Sequence, residues 1–109
     1  MSKPQDLVTR SPRETFLVSR ILKDLRDRGH YAYKNHGAAY SLLGLPDIVA
    51  CVHGYFVGME VKRDSKSHAS EAQKKNLRQI GEAQGFARVV DSWESYEKFM
   101  KHIEKEAFG

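Results

Sequence analysis

Apolar residues fall into two rhythms along this chain. In SPRETFLVSRILKDLRDRG, residues 11 to 29, Leu17, Val18, Ile21, Leu22 and Leu25 recur every three or four positions, the spacing of one helix face. Ser11 can cap that helix, Pro12 suits its first position and Gly29 follows its end. The same spacing returns in SEAQKKNLRQIGEAQG, residues 70 to 85, where Ser70 caps, Leu77 and Ile80 share a face, and Gly85 lies just past the end. A third helix, WESYEKFMKHIEKEAF, follows the cap Ser92 and carries the stripe Trp93, Tyr96, Phe99, Met100 and Ile103. Between these segments the period shortens to two. YAYKNH (31 to 36), DIVACV (47 to 52), YFVGMEVK (55 to 62) and FARVVD (86 to 91) read as strands. GAAYSLLGLP, 37 to 46, reads as a loop, and the polar KRDSKSHAS, 62 to 70, as a mobile one. Residues 1 to 10 lack periodicity and read as a loose leader. The order α-β-β-β-α-β-α predicts one α/β domain over residues 11–109, a mixed four-stranded sheet flanked by helices.

The two middle strands hold a contradiction. They are the most strand-like part of the chain, yet they carry Asp47, Glu60 and Lys62. His53-Gly54 between them suits a two-residue hairpin turn, since glycine is favoured at the second position and histidine tolerates positive φ better than most residues. Val52 then faces Tyr55, and the same register sets Asp47 opposite Glu60, with Cβ atoms about 4.5–5.5 Å apart. Lys62 shares the face of Glu60. The other face carries Ile48, Ala50, Val52, Tyr55, Val57, Met59 and Val61 and is expected to be core. Two carboxylates so close repel each other and need compensation. Lys62 alone offers an ion pair; hard oxygen ligands on a rigid sheet also suit Mg²⁺ or Mn²⁺. The residues by themselves leave both readings open.

Composition sharpens the picture only slightly. Eighteen Lys and Arg against fourteen Asp and Glu give a net charge of +4, a mild bias toward a polyanionic partner. The single cysteine, Cys51, excludes an internal disulfide and a cysteine-based zinc cluster, and its strand position predicts a core thiol. His30, His53 and His102 show no ligand spacing. The opening MSKPQDLVTRSPRE has no apolar core of a signal peptide, and no run of about 18 apolar residues exists to span a membrane. The expected setting is intracellular, cytoplasmic or nucleoid-associated, with phage or viral coding left open.

Pro46-Asp47 followed, after 12 residues, by Glu60-Val61-Lys62 resembles the PD-(D/E)xK signature of restriction-endonuclease-like nucleases. More narrowly the chain resembles a stand-alone VRR-NUC domain. Glu14 lies on the first helix, Gly44-Leu45-Pro46-Asp47 leads into a strand, and Glu60-Val61-Lys62 ends the next one. Ser70-Glu71-Ala72-Gln73 opens a helix, and Arg88-Val89-Val90 lies in the last strand. The likeness spans about residues 11 to 103. It departs from the family in the long basic loop from Arg63 to Ala69 and in Gly37 to Leu43, which has no clear counterpart.

The resemblance implies a restriction-endonuclease-like core and a metal-dependent DNA endonuclease. Asp47, Glu60 and the Val61 carbonyl, joined by Glu14, would hold Mg²⁺ or Mn²⁺, with Lys62 beside the attacked phosphate and Gln73 near the site. It also implies a homodimer acting on branched DNA such as a four-way junction. Flap or duplex cutting, and a non-catalytic DNA-binding module, are the alternatives. Glu14 and Gln73 each also fit a capping box with Ser11 and Ser70. Lys66 and His68 on the loop, Lys74, Lys75 and Arg78 on the second helix, and Asn35 are the expected DNA contacts, of a kind that positions a duplex without reading its sequence.

Overall fold

The computed structural model describes residues 11–36 and 44–109. The expected leader, residues 1–10, and most of the loop before Pro46, residues 37–43, lie outside the described residues. The elements follow the predicted order: α1 (Pro12–Asp27), β1 (Tyr31–Lys34), β2 (Ile48–Val52), β3 (Tyr55–Val61), α2 (Glu71–Glu82), β4 (Phe86–Val90) and α3 (Trp93–Phe108). The four strands form one sheet in the order β1-β2-β3-β4, antiparallel except for the parallel pair β3–β4. A parallel neighbour requires a crossover, and α2 supplies it.

The hairpin has the register that a two-residue turn imposes. Val52 pairs with Tyr55 and Ile48 with Met59. His53 (φ 53°) and Gly54 (φ 87°) both lie in the left-handed region that such a turn demands. One face of the hairpin therefore consists of Ile48, Ala50, Val52, Val57, Met59 and Val61, all buried. They pack with Leu17, Val18, Ile21, Leu22 and Leu25 of α1 and with Tyr96, Phe99, Met100 and Ile103 of α3. Each large apolar side chain so covered contributes about 1.5–3 kcal/mol. The two helices are also tied by the Tyr96 hydroxyl, which donates to Asp24 Oδ2 at 2.6 Å, while Arg28 pairs with the same oxygen at 2.8 Å. Burial, reinforced by the Asp24 carboxylate, raises the Tyr96 phenol above its ordinary range.

The second face is covered differently. Gly58 has no side chain, so Ile80 of α2 and Pro46 pack directly onto β3: a Cβ there would meet Ile80 Cδ1 at 2.9 Å and Pro46 Cγ at 3.0 Å. α2 contacts β3 and β4 and does not extend over β1 and β2. Two expectations about burial change. Cys51, expected in the core, is exposed, because it belongs to the α2 face of β2, beyond the helix's cover. Tyr55, expected on the core face, is 37% exposed at the hairpin end, where its ring meets Phe86 edge-on. The loop after Lys62, expected to be mobile, contains a built turn. Asp64 accepts from the Lys66 and Ser67 side of the loop, through Lys66 N–H at 2.9 Å and Ser67 Oγ at 3.3 Å. Desolvation pushes the Asp64 carboxyl up, but these donors and the Arg63 charge outweigh it and hold it below its ordinary value.

Candidate active site

The sheet end opposite the turn gathers the charges. Continuing the β2–β3 ladder by one position sets Asp47 against Glu60. They are the buried charged residues among those described, at 7% and 2% exposure. Charges at such depth must be held by donors. Asp47 Oδ2 accepts the Val61 backbone N–H at 2.7 Å, a charge-assisted bond that locks the aspartate across the strand pair. Glu60 Oε2 accepts from Gln73 Nε2 at 2.8 Å and lies 3.4 Å from Lys62 Nζ.

The approach to Asp47 is fixed from both sides. Asn35, just past β1, donates its backbone N–H to the Asp47 carbonyl at 2.8 Å and its side-chain amide to the Pro46 carbonyl. Gly44 (φ 73°) fits against the first turn of α2 so closely that a Cβ would meet the Ala72 carbonyl carbon at 2.4 Å and the Gln73 nitrogen at 2.7 Å. The spacing Gly44-x-Pro46-Asp47 is thereby explained in this chain. Glycine passes the helix, proline packs beneath it, and aspartate enters the ladder.

Gln73 resolves a choice that the sequence leaves open, because it does both things. Its Oε1 accepts the Ser70 N–H at 2.8 Å, and Ser70 Oγ accepts the Gln73 N–H at 3.2 Å, a complete capping box. The same Oε1 accepts from Lys62 Nζ at 3.3 Å, and Nε2 serves Glu60. A side-chain amide has an acceptor and two donors, enough for all of these bonds. The cap of α2 and the clamp on the two charged residues of β3 are one group.

Asp47, Glu60, Val61, Lys62 and Gln73 are thus brought together. Glu14 belongs to the other layer, half-buried on the first turn of α1, where its backbone N–H donates to Ser11 Oγ at 3.1 Å. Asn35 holds the Pro46-Asp47 backbone, a positioning contact that its expected phosphate role did not anticipate. Lys66, His68, Lys74, Lys75 and Arg78 are exposed; Lys74 pairs with Glu71 at 3.2 Å, and such surface pairs are worth little.

No family model matches the sequence, and no curated protein matches it significantly. Solved structures do match. The chain shares its fold with a protein named VRR_NUC domain protein. The TM-score is 0.54 at 20% identity, over 65% of this chain and 64% of that one, so the chain spans less than two thirds of the VRR_NUC domain protein's length. At that identity the likeness is one of fold. It matches the expected restriction-endonuclease-like core, with its mixed four-stranded sheet flanked by helices.

The residues that reasoning from sequence missed lie at the other end of the sheet. His30, His53 and Glu104 each place a ligand atom within 4.8 Å of the others. They are far apart in the chain and lack any motif spacing, so only the tertiary fold reveals them.

Proposed function

We propose that this protein is a metal-dependent DNA endonuclease of the VRR-NUC type. The observation that carries the reading is the buried Asp47–Glu60 pair on adjacent strands, with Lys62 and Gln73 closing around it. The donor set fits a hard divalent cation: two carboxylates and a backbone carbonyl on a rigid sheet end, with no sulfur or imidazole in the set. Asp47, Glu60 and the Val61 carbonyl would hold Mg²⁺ or Mn²⁺, with Glu14 as a further ligand. When bound, the ion supplies charge neutralisation at a phosphate oxygen and a more acidic water.

The chain's own residues do the rest. The Val61 N–H orients Asp47, and Gln73 orients Glu60. Lys62, 17% exposed, already directs its ammonium at Glu60 and Gln73, and one of its three donors can serve the phosphate or the attacking oxygen. The expected products are a 5′-phosphate and a 3′-hydroxyl. Lys66, His68, Lys74, Lys75, Arg78 and Asn35 would hold the DNA backbone. The preferred substrate is branched DNA such as a four-way junction, cut by an intracellular homodimer with one site per strand.

A second reading has its own observation. Lys62 lies 3.4 Å from Glu60, so the charged end also makes sense as an ion pair in a DNA-binding module. Incubation with linear, flapped and four-way DNA in Mg²⁺ or Mn²⁺ separates the two. The nuclease cuts, stops on chelation, and loses cutting but not binding in Asp47→Ala. Binding without cleavage of any substrate favours the module. Cleavage confined to flaps or linear duplex removes the junction preference, and a monomer by sedimentation at micromolar concentration removes the homodimer.

A further inference from the structure

We infer that His30, His53 and Glu104 form a separate transition-metal site, of a kind suited to Zn²⁺, at the hairpin end of the sheet. Three elements of the fold converge there. His30 lies in the α1–β1 connection, His53 is the first residue of the β2–β3 turn, and Glu104 is in the last turns of α3. One ring nitrogen from each histidine and one carboxylate oxygen all lie within 4.8 Å of one another. His53 Nε2 and Glu104 Oε1 are already 2.8 Å apart. Zn–N and Zn–O bonds of about 2.0–2.2 Å place neighbouring ligand atoms of a tetrahedron roughly 3.3–3.6 Å apart, so small side-chain adjustments complete the shell. Two imidazoles and one carboxylate form a recurrent zinc donor set, and water fills the fourth position.

The surroundings support the assignment. The His30 and His53 rings meet edge-on at 5.0 Å, and the Phe108 ring packs against His53 at 4.6 Å, giving the site an apolar wall. His53 also occupies a left-handed position where asparagine or glycine is the ordinary choice, so the turn alone does not call for an imidazole. A bound ion would staple the hairpin turn to α3 and to the end of α1, adding to the core packing and to the His53–Glu104 hydrogen bond and ring contacts at that end.

The test is a thermal melt of untagged full-length protein near neutral pH, alone and with Zn²⁺ or Mg²⁺, together with visible spectra in Co²⁺. Zn²⁺ well above its dissociation constant should raise the Tm on the order of 5 °C or more, and equimolar Mg²⁺ should not. Co²⁺ should give the intense bands of a four-coordinate site. His53→Asn keeps a residue that accepts the left-handed turn and should lose both signals, while Asp47→Asn should retain them. A parent protein whose Tm ignores Zn²⁺ overturns the proposal. So does a His53→Asn variant that still responds, or an Asp47→Asn variant that does not, since each places the ion elsewhere.

Discussion

The two ends of the β2–β3 hairpin are separated by roughly 20 Å of extended chain, and they treat charge in opposite ways. At the Asp47–Glu60 end the donors are hard oxygens, buried, and pinned by backbone and amide bonds. At the His30–His53–Glu104 end they are two imidazoles and a carboxylate, partly exposed, with His53 and Glu104 side chains 29% and 39% accessible. The first end suits Mg²⁺ or Mn²⁺ and a phosphate; the second suits a borderline metal that prefers nitrogen. Burial sets the difference. A buried acid pair must be held in place by its surroundings, whereas a half-exposed trio can adjust to an ion.

The largest effect that sharpens this contrast is at Asp47. Asp47→Asn preserves volume and an acceptor for Val61 N–H but removes the charge. Cleavage should fall by about a thousandfold, roughly 4 kcal/mol of barrier, with DNA binding retained. A fall in binding equal to the fall in rate would make the acid a structural partner. Next comes Gly44→Ala. Its Cβ would strike the Ala72 backbone at 2.4 Å from a left-handed φ. A cost of about 2–3 kcal/mol, seen as a Tm drop of roughly 10 °C or more, is expected, with the Zn²⁺ response at the far end intact. An unchanged melting curve would mean that the glycine cradle is not tight.

Gln73→Glu is smaller and more discriminating. A glutamate keeps the acceptor for Ser70 N–H, so α2 stays capped, but it replaces the donor to Glu60 with a like charge. Stability should drop by only about 1 kcal/mol while cleavage falls at least tenfold. Equal activity would assign Gln73 to the cap alone. The smallest effect is at the hairpin end. His30 has a folded pKa below its ordinary 6.5, so in mild acid the unfolded chain takes up a proton that the folded chain refuses. Stability should therefore be full above pH 6.5 and decline as the pH falls below it toward the folded value. Neighbouring Glu104 and Asp24 moderate the slope, while His53 and Arg28 add to it. Denaturant melts across that window, with His30→Gln as the control that flattens the slope, check the sign.

What could be read in advance followed local rules. His53-Gly54 fixed a two-residue turn, and the turn fixed every pair of the hairpin, whose continuation by one position sets Asp47 against Glu60. The α1 and α3 stripes were legible because a helix face repeats in the sequence. Cys51 was misplaced because alternation says which face a residue takes but not how far a helix on that face extends. Gln73 was ambiguous because its two roles use the same position and the same atoms. The His30–His53–Glu104 trio was invisible because its members meet only through packing of α3 against the sheet.

The shared amide of Gln73 makes local opening of α2 and loosening of the acid pair a single event. Fraying of the first helical turn would release the Ser70 N–H, the Glu60 carboxylate and the Lys62 ammonium together. The hydrogen-exchange rate of one backbone amide, that of Ser70, then becomes a clock for how often the Glu60 carboxylate loses its orientation.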